Sequence, residues 1–236
     1  MALAVGNASL MNQWAIDIKA GQDTADRLAA EGKTPVYVAV NGQWACLLGI
    51  TDPLKPYSVE AIEELKNLGI QVIMLSGDHV QTVQAVAQQA GISEAIGGLL
   101  PEGKVEKIAR LQKEGQVVAM VGDGMNDAPA LARADVGIAI GTGADVAREA
   151  SDITLMRHDL RGVASAIRLA RRTMGTMKQN LFWAFIYNVV GIPIAAGALY
   201  PVTGMLLSPM LAGAAMAFSS VSVVSNSLRL RHARLT

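Results

Sequence analysis

The chain has 236 residues, 51% of them hydrophobic, so it is long and apolar enough to bury a sizeable core. Its 20 basic and 20 acidic residues balance, and neither sign forms a long run, which argues against nucleic acid as a partner. The single cysteine, Cys46, excludes an internal disulfide, as is typical of a cytosolic or membrane protein.

Residues 1–48 predict part of a separate domain. Two apolar runs, 36–40 and 44–48, flank Asn41-Gly42, and this dipeptide between strand-like runs is typical of a β-hairpin. The N-terminus has no charged segment followed by an apolar stretch, so we expect no secretory signal.

Residues 49–158 predict an α/β domain. Strand-like apolar runs alternate here with helix-like segments that end at Gly69, Gly91 and Gly115. That alternation indicates a parallel sheet covered by helices. Since ligands of such folds bind at the carboxyl ends of the strands, polar residues that directly follow a strand are candidate site residues.

An acidic turn, Gly122-Asp-Gly-Met-Asn-Asp127, follows the apolar run 117–121. Asp123 and Asp127, together with Asn126, offer the hard oxygen ligands that hold Mg²⁺ beside a phosphate. The alternative interpretation is an ordinary Asp-Gly turn followed by a helix-capping acid.

Two further groups predict a phosphate site. Ser76-Gly77-Asp78 ends another strand-like run, so the Ser76 hydroxyl and the nearby amides would hold a phosphoryl oxygen. Lys104 would supply a fixed positive charge to the same phosphoryl group. Taken singly, the first group also fits a simple turn, and the lysine also fits a solvated helix face.

In this order, Ser76-Gly77-Asp78, Lys104 and the ten residues 122–131 resemble the phosphorylation domain of P-type ATPases, which has the haloacid dehalogenase-like fold. The segment 51–55, Thr-Asp-Pro-Leu-Lys, is similar to the stretch with which the family's chain re-enters that domain. The resemblance therefore extends over most of the chain.

The resemblance implies a role for each residue of the candidate site. Asp123 would bind Mg²⁺ at the phosphorylation site, whose shape would be set by Asn126 and Asp127. Ser76 would contact the phosphoryl group, and Lys104 would neutralise its charge.

The resemblance also covers residues 1–48, which are similar to the latter part of the family's nucleotide-binding domain. Gly6-Asn7 is similar to a loop that lies near ATP in the heavy-metal branch of the family. The cofactors that the resemblance implies are therefore ATP and Mg²⁺.

The segment from Leu181 to Leu228 contains no Asp, Glu, Lys or Arg. A membrane-spanning helix needs about 20 apolar residues, so we expect two spans, at about 181–200 and 205–228, within a membrane domain of residues 159–236. Basic residues precede the first span and follow the second, which places both ends and the soluble part in the cytoplasm. We expect a multi-pass protein surrounded by lipid, in a bacterial inner membrane.

Two spans at the C-terminal end resemble the heavy-metal transporters of the family. Tyr187-Asn188 and the pair Met216 and Ser220 resemble the copper-transporting subgroup, and a thioether favours Cu(I). Zinc would usually take a carboxylate or imidazole, and neither occurs in the two spans. The open alternative is that Met216 fills space and that the polar side chains form hydrogen bonds between helices.

The sequence contains neither Asp-Lys-Thr-Gly-Thr nor Cys-Pro-Cys. The aspartate that accepts phosphate in the family is therefore absent. The leading hypothesis is the C-terminal part of an ATP-driven Cu⁺ translocase that is inactive alone. Its partners would be the missing N-terminal part of the pump and a copper chaperone that delivers Cu⁺.

Two alternatives remain. One is a membrane-anchored haloacid dehalogenase-like phosphatase, although that chemistry needs the same missing aspartate. The other is a non-catalytic partner of a complete pump.

Overall fold

The computed structural model describes residues 2–123, 125–141, 149–157, 159–198, 200–204 and 208–232. The chain divides into two compact units, Met1–Ala164 and Ser165–Thr236. The predicted boundary at residue 48 falls inside the first unit and stays a prediction.

An antiparallel sheet opens the first unit. Its strand order is β1-β2-β3, with β1 at Leu3–Gly6, β2 at Thr34–Val40 and β3 at Gln43–Ile50. The turn between β2 and β3 has positive φ at Asn41 (50°) and Gly42 (81°), as a tight hairpin turn requires. The predicted β-hairpin is therefore confirmed.

Helices cover one face of this sheet. They are α1 (Ala8–Gln13) and α2 (Gln22–Ala30), which is preceded by a short 3₁₀ turn at Lys19–Gly21. The enclosed core contains Met11, Ala25, Tyr37 and Ala39, all nearly inaccessible to solvent. Tyr37 and Ala39 alternate with less buried valines along β2, because successive side chains of a strand point to opposite faces.

Parallel strands and helices make up the rest of the first unit. In chain order the elements are α3 (Ser58–Asn67), β4 (Ile73–Leu75), α4 (Val80–Gln89), β5 (Glu94–Ile96), α5 (Pro101–Lys113), β6 (Ala119–Gly122), a 3₁₀ turn (Met125–Asp127), α6 (Ala128–Arg133), β7 (Val136–Ile140) and β8 (Ile153–Leu155). Helices α3, α4 and α5 end two residues before Gly69, Gly91 and Gly115, so the predicted helix ends are confirmed.

The parallel strands form two hydrogen-bonded sheets where the sequence predicted one. Strand β4 pairs with β5, and β6-β7-β8 form a three-stranded sheet. Ile108 of α5, Leu131 of α6 and Ile138 of β7 are almost fully buried. Their burial fixes α5 and α6 at the three-stranded sheet and so positions the turn between β6 and α6.

The second unit is helical among the residues described. Helix α7 (Arg161–Ala195) begins in the first unit and continues into the second, where α8 (Tyr200–Thr203), α9 (Pro209–Leu228) and a 3₁₀ turn (Arg229–His232) follow. Asn180 of α7 donates a hydrogen bond to Ser227 of α9 at 2.9 Å, and Asn226 donates one to Asn180 at 2.9 Å. These amide contacts join the two helices.

The predicted membrane spans differ from these helices. The first predicted span, 181–200, lies mostly in α7, which ends at Ala195 and has Pro193 inside it. The second, 205–228, begins outside the described residues, and its helix starts at Pro209. Among the described parts of the chain, no helix is both long and apolar enough to cross a membrane.

That finding does not support the two predicted spans.

Candidate active site at the end of strand β6

A largely buried ion pair lies beside the end of β6. The Lys104 Nζ atom donates a hydrogen bond to the Asp127 Oδ1 atom at 2.7 Å, and the two side chains are only 14% and 15% exposed. Lys104 stands in the first turn of α5, whereas Asp127 ends the 3₁₀ turn that leads into α6. The packing of α5 near α6 therefore brings together two charges that are distant in sequence.

Gly122 allows Asp127 to approach the strand. A β-carbon added at Gly122 would lie 2.7 Å from Asp127 Oδ2 and 2.8 Å from Asp127 Cβ, closer than van der Waals contact permits. The carboxylate of Asp127 thus packs directly on the backbone at the end of β6. Only a residue without a side chain fits between them.

Asp123 lies in a different environment. Its side chain is 59% exposed, and the Lys55 Nζ atom, 3.9 Å from Asp123 Oδ2, belongs to a side chain that is itself 58% exposed. Such a solvated pair contributes little to stability. Asp123 therefore presents carboxylate oxygens that remain accessible to a ligand.

The acidic turn fits magnesium as part of a ligand set. Mg²⁺ is usually held by one or two carboxylates and keeps several waters, and Asp123 with exposed Asn126 supplies oxygen ligands of that kind. Gly124, within the turn, lies outside the described residues. In the part of the chain that is described, no group of three or more His, Cys, Asp or Glu side chains could hold a metal by itself.

Ser76 forms a local turn at the end of β4. Its hydroxyl donates a hydrogen bond to Asp78 Oδ2 at 2.9 Å and accepts one from the Asp78 amide at 3.2 Å. The Ser76 amide also donates to the Ile96 carbonyl at 3.0 Å, which ties the turn to β5. The hydroxyl would have to exchange Asp78 for a phosphoryl oxygen in order to bind one.

The described structure brings the predicted residues together only in part. Lys104 meets Asp127, and Asp123 lies near Lys55. Among the described residues, no hydrogen bond or ion pair joins the Ser76 turn to the Lys104–Asp127 pair.

Gly6 and Asn7 have structural roles at the start of α1. Asn7 Oδ1 accepts a hydrogen bond from the Leu10 amide at 3.0 Å, which caps the helix. A side chain at Gly6 would overlap the Leu10 side chain. Contact with ATP at these two residues stays a prediction.

The predicted copper residues lie on two different helices, α7 and α9. The Asn188 amide donates to the Ala184 carbonyl at 2.9 Å, and the Ser220 hydroxyl donates to the Met216 carbonyl at 3.2 Å. Both polar side chains are thus bound to the backbone of their own helix. The Met216 side chain is 71% exposed.

A cavity of about 720 Å³ lies between α7 and α9. Its lining includes Lys178, Phe182, Trp183, Tyr187 and Asn226. Of the predicted copper residues, Tyr187 alone is among the lining residues.

The register of the helix pair shows how the predicted copper residues are arranged. Tyr187 follows Asn180 by the same number of residues as Ser220 precedes Ser227. Since each helix rises by the same amount per residue, Tyr187 and Ser220 lie at the same level along the pair. No hydrogen bond between them occurs among the residues described.

Comparison with known proteins identifies the family. The haloacid dehalogenase-like hydrolase family matches residues 5–135, which is more than half of the chain. The chain belongs to this family. Its β6 turn and the Lys104–Asp127 pair lie within the matched region.

Individual relatives of this haloacid dehalogenase-like protein are P-type ATPases. The chain is 57% identical over 229 residues to a probable copper-transporting ATPase (PacS) of Synechococcus elongatus. The matched segment covers 97% of this chain and 31% of that relative. It is 50% identical over 232 residues to a copper-exporting P-type ATPase of Vibrio cholerae, and the matched segment covers 98% of this chain and 25% of that relative. The predicted resemblance to copper-transporting P-type ATPases is therefore confirmed.

A solved structure supports the same relationship. The crystal structure of a zinc-transporting PIB-type ATPase in the E2.Pi state matches with a TM-score of 0.75 at 33% identity, covering 97% of this chain and 36% of that chain. The haloacid dehalogenase-like fold is confirmed by the family match and by this structural match. The chain spans only about a third or less of the length of these proteins. An activity of the whole protein is therefore a proposal for this chain.

Sequence reasoning missed three features of this haloacid dehalogenase-like chain. One is the contact of Lys55 with Asp123, although Lys55 lies in the segment 51–55 that carried part of the resemblance. Another is the amide network at Asn180 and Asn226, which no pattern in the sequence distinguished from other helix polar residues.

The third feature is a cluster around Arg161 at the start of α7. The Arg161 guanidinium donates to Asp159, with Nη2 at 2.7 Å from Oδ2, and its central carbon lies 3.7 Å from the centre of the Tyr57 ring. The hydrogen bonds from Arg161 hold the pKa of the Asp159 carboxyl below its usual value. Only the fold brings Tyr57 to this pair.

Proposed function

We propose that this chain is part of an ATP-driven Cu⁺ transporter and supplies the magnesium and phosphoryl end of its phosphorylation site. The observation that carries the proposal is the contrast between two neighbouring acids. Asp127 is held by Lys104 and largely buried, whereas Asp123 is exposed at the carboxyl end of β6. A site that binds a cation beside a phosphate needs one accessible carboxylate and one fixed positive charge.

Each residue has a distinct part in this proposal. Asp123 and Asn126 would hold Mg²⁺, which when bound offsets negative charge on the transferred phosphoryl group. Asp127 fixes the position of the Lys104 ammonium group, so that its charge needs no reorganisation when a phosphoryl group arrives. The Ser76 hydroxyl would contact the phosphoryl oxygen, and ATP would bind near Gly6 and Asn7.

Magnesium binding to the chain tests this assignment. We expect Asp123→Asn to weaken Mg²⁺ binding at least tenfold in a calorimetric titration while leaving the unfolding transition unchanged, because Asp123 is exposed. Asp23→Asn is the matched control, since Asp23 is an exposed acid on α2, next to the first sheet. Equal affinity in the parent and Asp123→Asn would contradict the proposal.

The chain alone is expected to form no phosphoenzyme. The sequence has no Asp-Lys-Thr-Gly-Thr, so the aspartate that would accept the phosphoryl group must come from residues that this chain does not contain. Acid-stable incorporation of phosphate from ATP into the isolated chain would contradict this part. Hydrolysis of a simple phosphate ester by the chain would instead favour a phosphatase.

Copper as the transported ion is supported by the chemistry of Met216 and by relatives that carry copper transport in their names. A thioether is a soft ligand and favours Cu(I) over Zn(II). In this proposal Tyr187, Asn188 and Ser220 complete the path, and the Asn188 and Ser220 side chains release their backbone carbonyls when the ion arrives. A copper chaperone would supply the ion.

A chimeric pump tests the copper path. The chain would replace the corresponding part of the Synechococcus elongatus relative, and ATPase activity would be measured with Cu(I) and with Zn(II). We expect Met216→Leu to lose most of the copper response and Met210→Leu, an exposed methionine on the same helix, to keep it. An unchanged copper response in Met216→Leu would remove Met216 from the path.

Membrane placement of residues 181–228 belongs to the same proposal. Its support is the absence of charged residues over the whole of this segment, although the described helices do not support two spans. We expect the chain to stay with the membrane pellet after alkaline carbonate extraction. Release into the supernatant would contradict the placement.

A further inference from the structure

The part of the chain that contains the helix pair is basic throughout. Residues 160–236 include eight arginine and lysine residues but no aspartate or glutamate. Lys178 stands just before the first predicted span, and Arg229 directly follows the second. No carboxylate side chain of this segment can therefore neutralise Lys178 or Arg229, and both positive charges are available to an anion.

Lys178 and Arg229 lie at nearly the same level of the helix pair. The Asn180 amide donates a hydrogen bond to Ser227 across the pair at 2.9 Å. Lys178 comes two residues before Asn180, and Arg229 comes two residues after Ser227, so both cations lie beyond this contact on the same side. Both also line the cavity of about 720 Å³ between α7 and α9. The cavity therefore has one end with two positive charges.

Aromatic side chains line the same cavity farther along α7. They are Phe182, Trp183 and Tyr187, which are 40–57% exposed. The rings of Phe182 and Trp183 meet edge to face, with their centres 5.6 Å apart. Tyr187 lies roughly 13 Å from Lys178 along the helix axis. Tryptophan and tyrosine favour the boundary between lipid headgroups and acyl chains, so this part of the cavity suits the glycerol and acyl region of a lipid.

We propose that this cavity binds an anionic phospholipid, with its phosphate between Lys178 and Arg229 and its acyl chains beside Phe182 and Trp183. The proposal rests on the membrane placement proposed above, which puts the basic end at the cytoplasmic surface. Basic pockets between helices on that side of a membrane hold anionic headgroups. Lysine and arginine bind phosphate through charge-assisted hydrogen bonds. A zwitterionic headgroup adds a quaternary ammonium group, which two neighbouring cations repel.

Fluorescence of Trp183 tests the lipid site. The full chain is reconstituted into phosphatidylcholine vesicles that contain either brominated phosphatidylglycerol or brominated phosphatidylcholine, because bromine quenches a tryptophan that it contacts. Subtracting the signal of Trp183→Phe separates Trp183 from Trp14 and Trp44. We expect half-maximal quenching at a roughly tenfold lower concentration of the phosphatidylglycerol, since each basic residue near a membrane favours anionic lipid.

Variants of the two cations locate the preference. Lys178→Gln and Arg229→Gln should each reduce it about fivefold, whereas Lys178→Arg should keep it. Arg172→Gln is the matched control, because it removes one positive charge from α7 at a residue that does not line the cavity. It should leave the preference unchanged. Circular dichroism of each variant verifies that the helices still form.

Four outcomes would overturn the proposal. Equal quenching by the two lipids would remove the lipid site and leave the membrane placement intact. Absence of quenching by either lipid would remove both, because Trp183 would not contact the bilayer. An equal loss of preference in Arg172→Gln would assign the preference to diffuse surface charge. Displacement of the phosphatidylglycerol by inorganic phosphate would assign the cavity to a soluble phosphate compound.

Discussion

The acidic turn after β6 and the predicted copper residues of the second unit use their polar side chains in opposite ways. In the acidic turn, Lys104 and Asp127 are 23 residues apart and form a contact that only packing creates. In the helix pair, Asn188 and Ser220 bind carbonyls of their own helices, four residues earlier. A polar side chain whose partner is distant in sequence has its position set by the tertiary structure. A polar side chain bonded within its own helix gives no information about a partner elsewhere.

The largest effect is expected from breaking the long-range pair. Lys104→Met leaves the Asp127 carboxylate largely buried without a counter-charge, and we expect a loss of about 2–3 kcal/mol in the free energy of unfolding. Lys55→Met is the matched control and should change it by less than about 0.5 kcal/mol, because that pair is exposed. Urea denaturation measures both variants.

A double variant sharpens this result. Adding Asp127→Asn to Lys104→Met should recover part of the lost stability, because the second change removes the unpaired charge. Additive losses would show that the two residues stabilise the fold independently.

The next effect concerns the backbone beneath Asp127. Gly122→Ala should cost about 1–3 kcal/mol, since its β-carbon overlaps the Asp127 carboxylate and the turn must shift. Gly175→Ala in α7 meets open space and should be neutral or stabilising by up to about 1 kcal/mol. The free energy of unfolding compares the two, and equal losses would contradict the role given to Gly122.

A smaller effect on stability should distinguish an asparagine that bonds across the helix pair from one that bonds within its own helix. Asn226 bonds to Asn180 across the helix pair, so Asn226→Ala should cost about 1 kcal/mol. Asn188→Ala should cost less than about 0.5 kcal/mol because its amide bonds only to its own helix. Thermal unfolding in detergent measures both, and the reverse order would indicate that Asn188 has a partner across the helices.

The smallest effect is a dependence on pH at Asp159. The pKa of its carboxyl is lower in the folded protein than in the unfolded chain, so its contribution is present above about pH 4, the unfolded value. That contribution is lost as the pH falls through the folded pKa. Asp159→Asn should therefore flatten the decrease in unfolding free energy between pH 5 and pH 3.

Arg161→Leu tests the cause of this pH dependence. It removes the hydrogen bonds that lower the pKa, so it should flatten the same part of the curve as Asp159→Asn. An unchanged slope in either variant would show that other carboxylates determine acid unfolding.

Elements with strong local signals could be predicted from the sequence. Asn41-Gly42 between two apolar runs predicted the hairpin, and the positions of Gly69, Gly91 and Gly115 predicted helix ends. These signals succeed because backbone conformation at a turn or a helix end depends on a few neighbouring residues.

The sequence predicted which residues belong to the candidate site, but not which of them are in contact. The order of Ser76, Lys104, Asp123 and Asp127 identified the family, but not which acid pairs with the lysine. That choice depends on the close approach of α5 to α6 and of Asp127 to Gly122, which involve contacts far apart in the chain. The membrane prediction relied on the absence of charged residues, and no helix among the described residues is long and apolar enough to support two spans.

The sequence by itself determined the hairpin turn at Asn41-Gly42, the ends of helices α3, α4 and α5, and which residue types are present for phosphate and magnesium chemistry. The tertiary structure decided that the Asp127 carboxylate is paired with Lys104 and largely buried, and that the Asp123 carboxylate is exposed. The physical reason is that local conformation depends on nearby residues, whereas the burial and partners of a side chain depend on how distant elements pack.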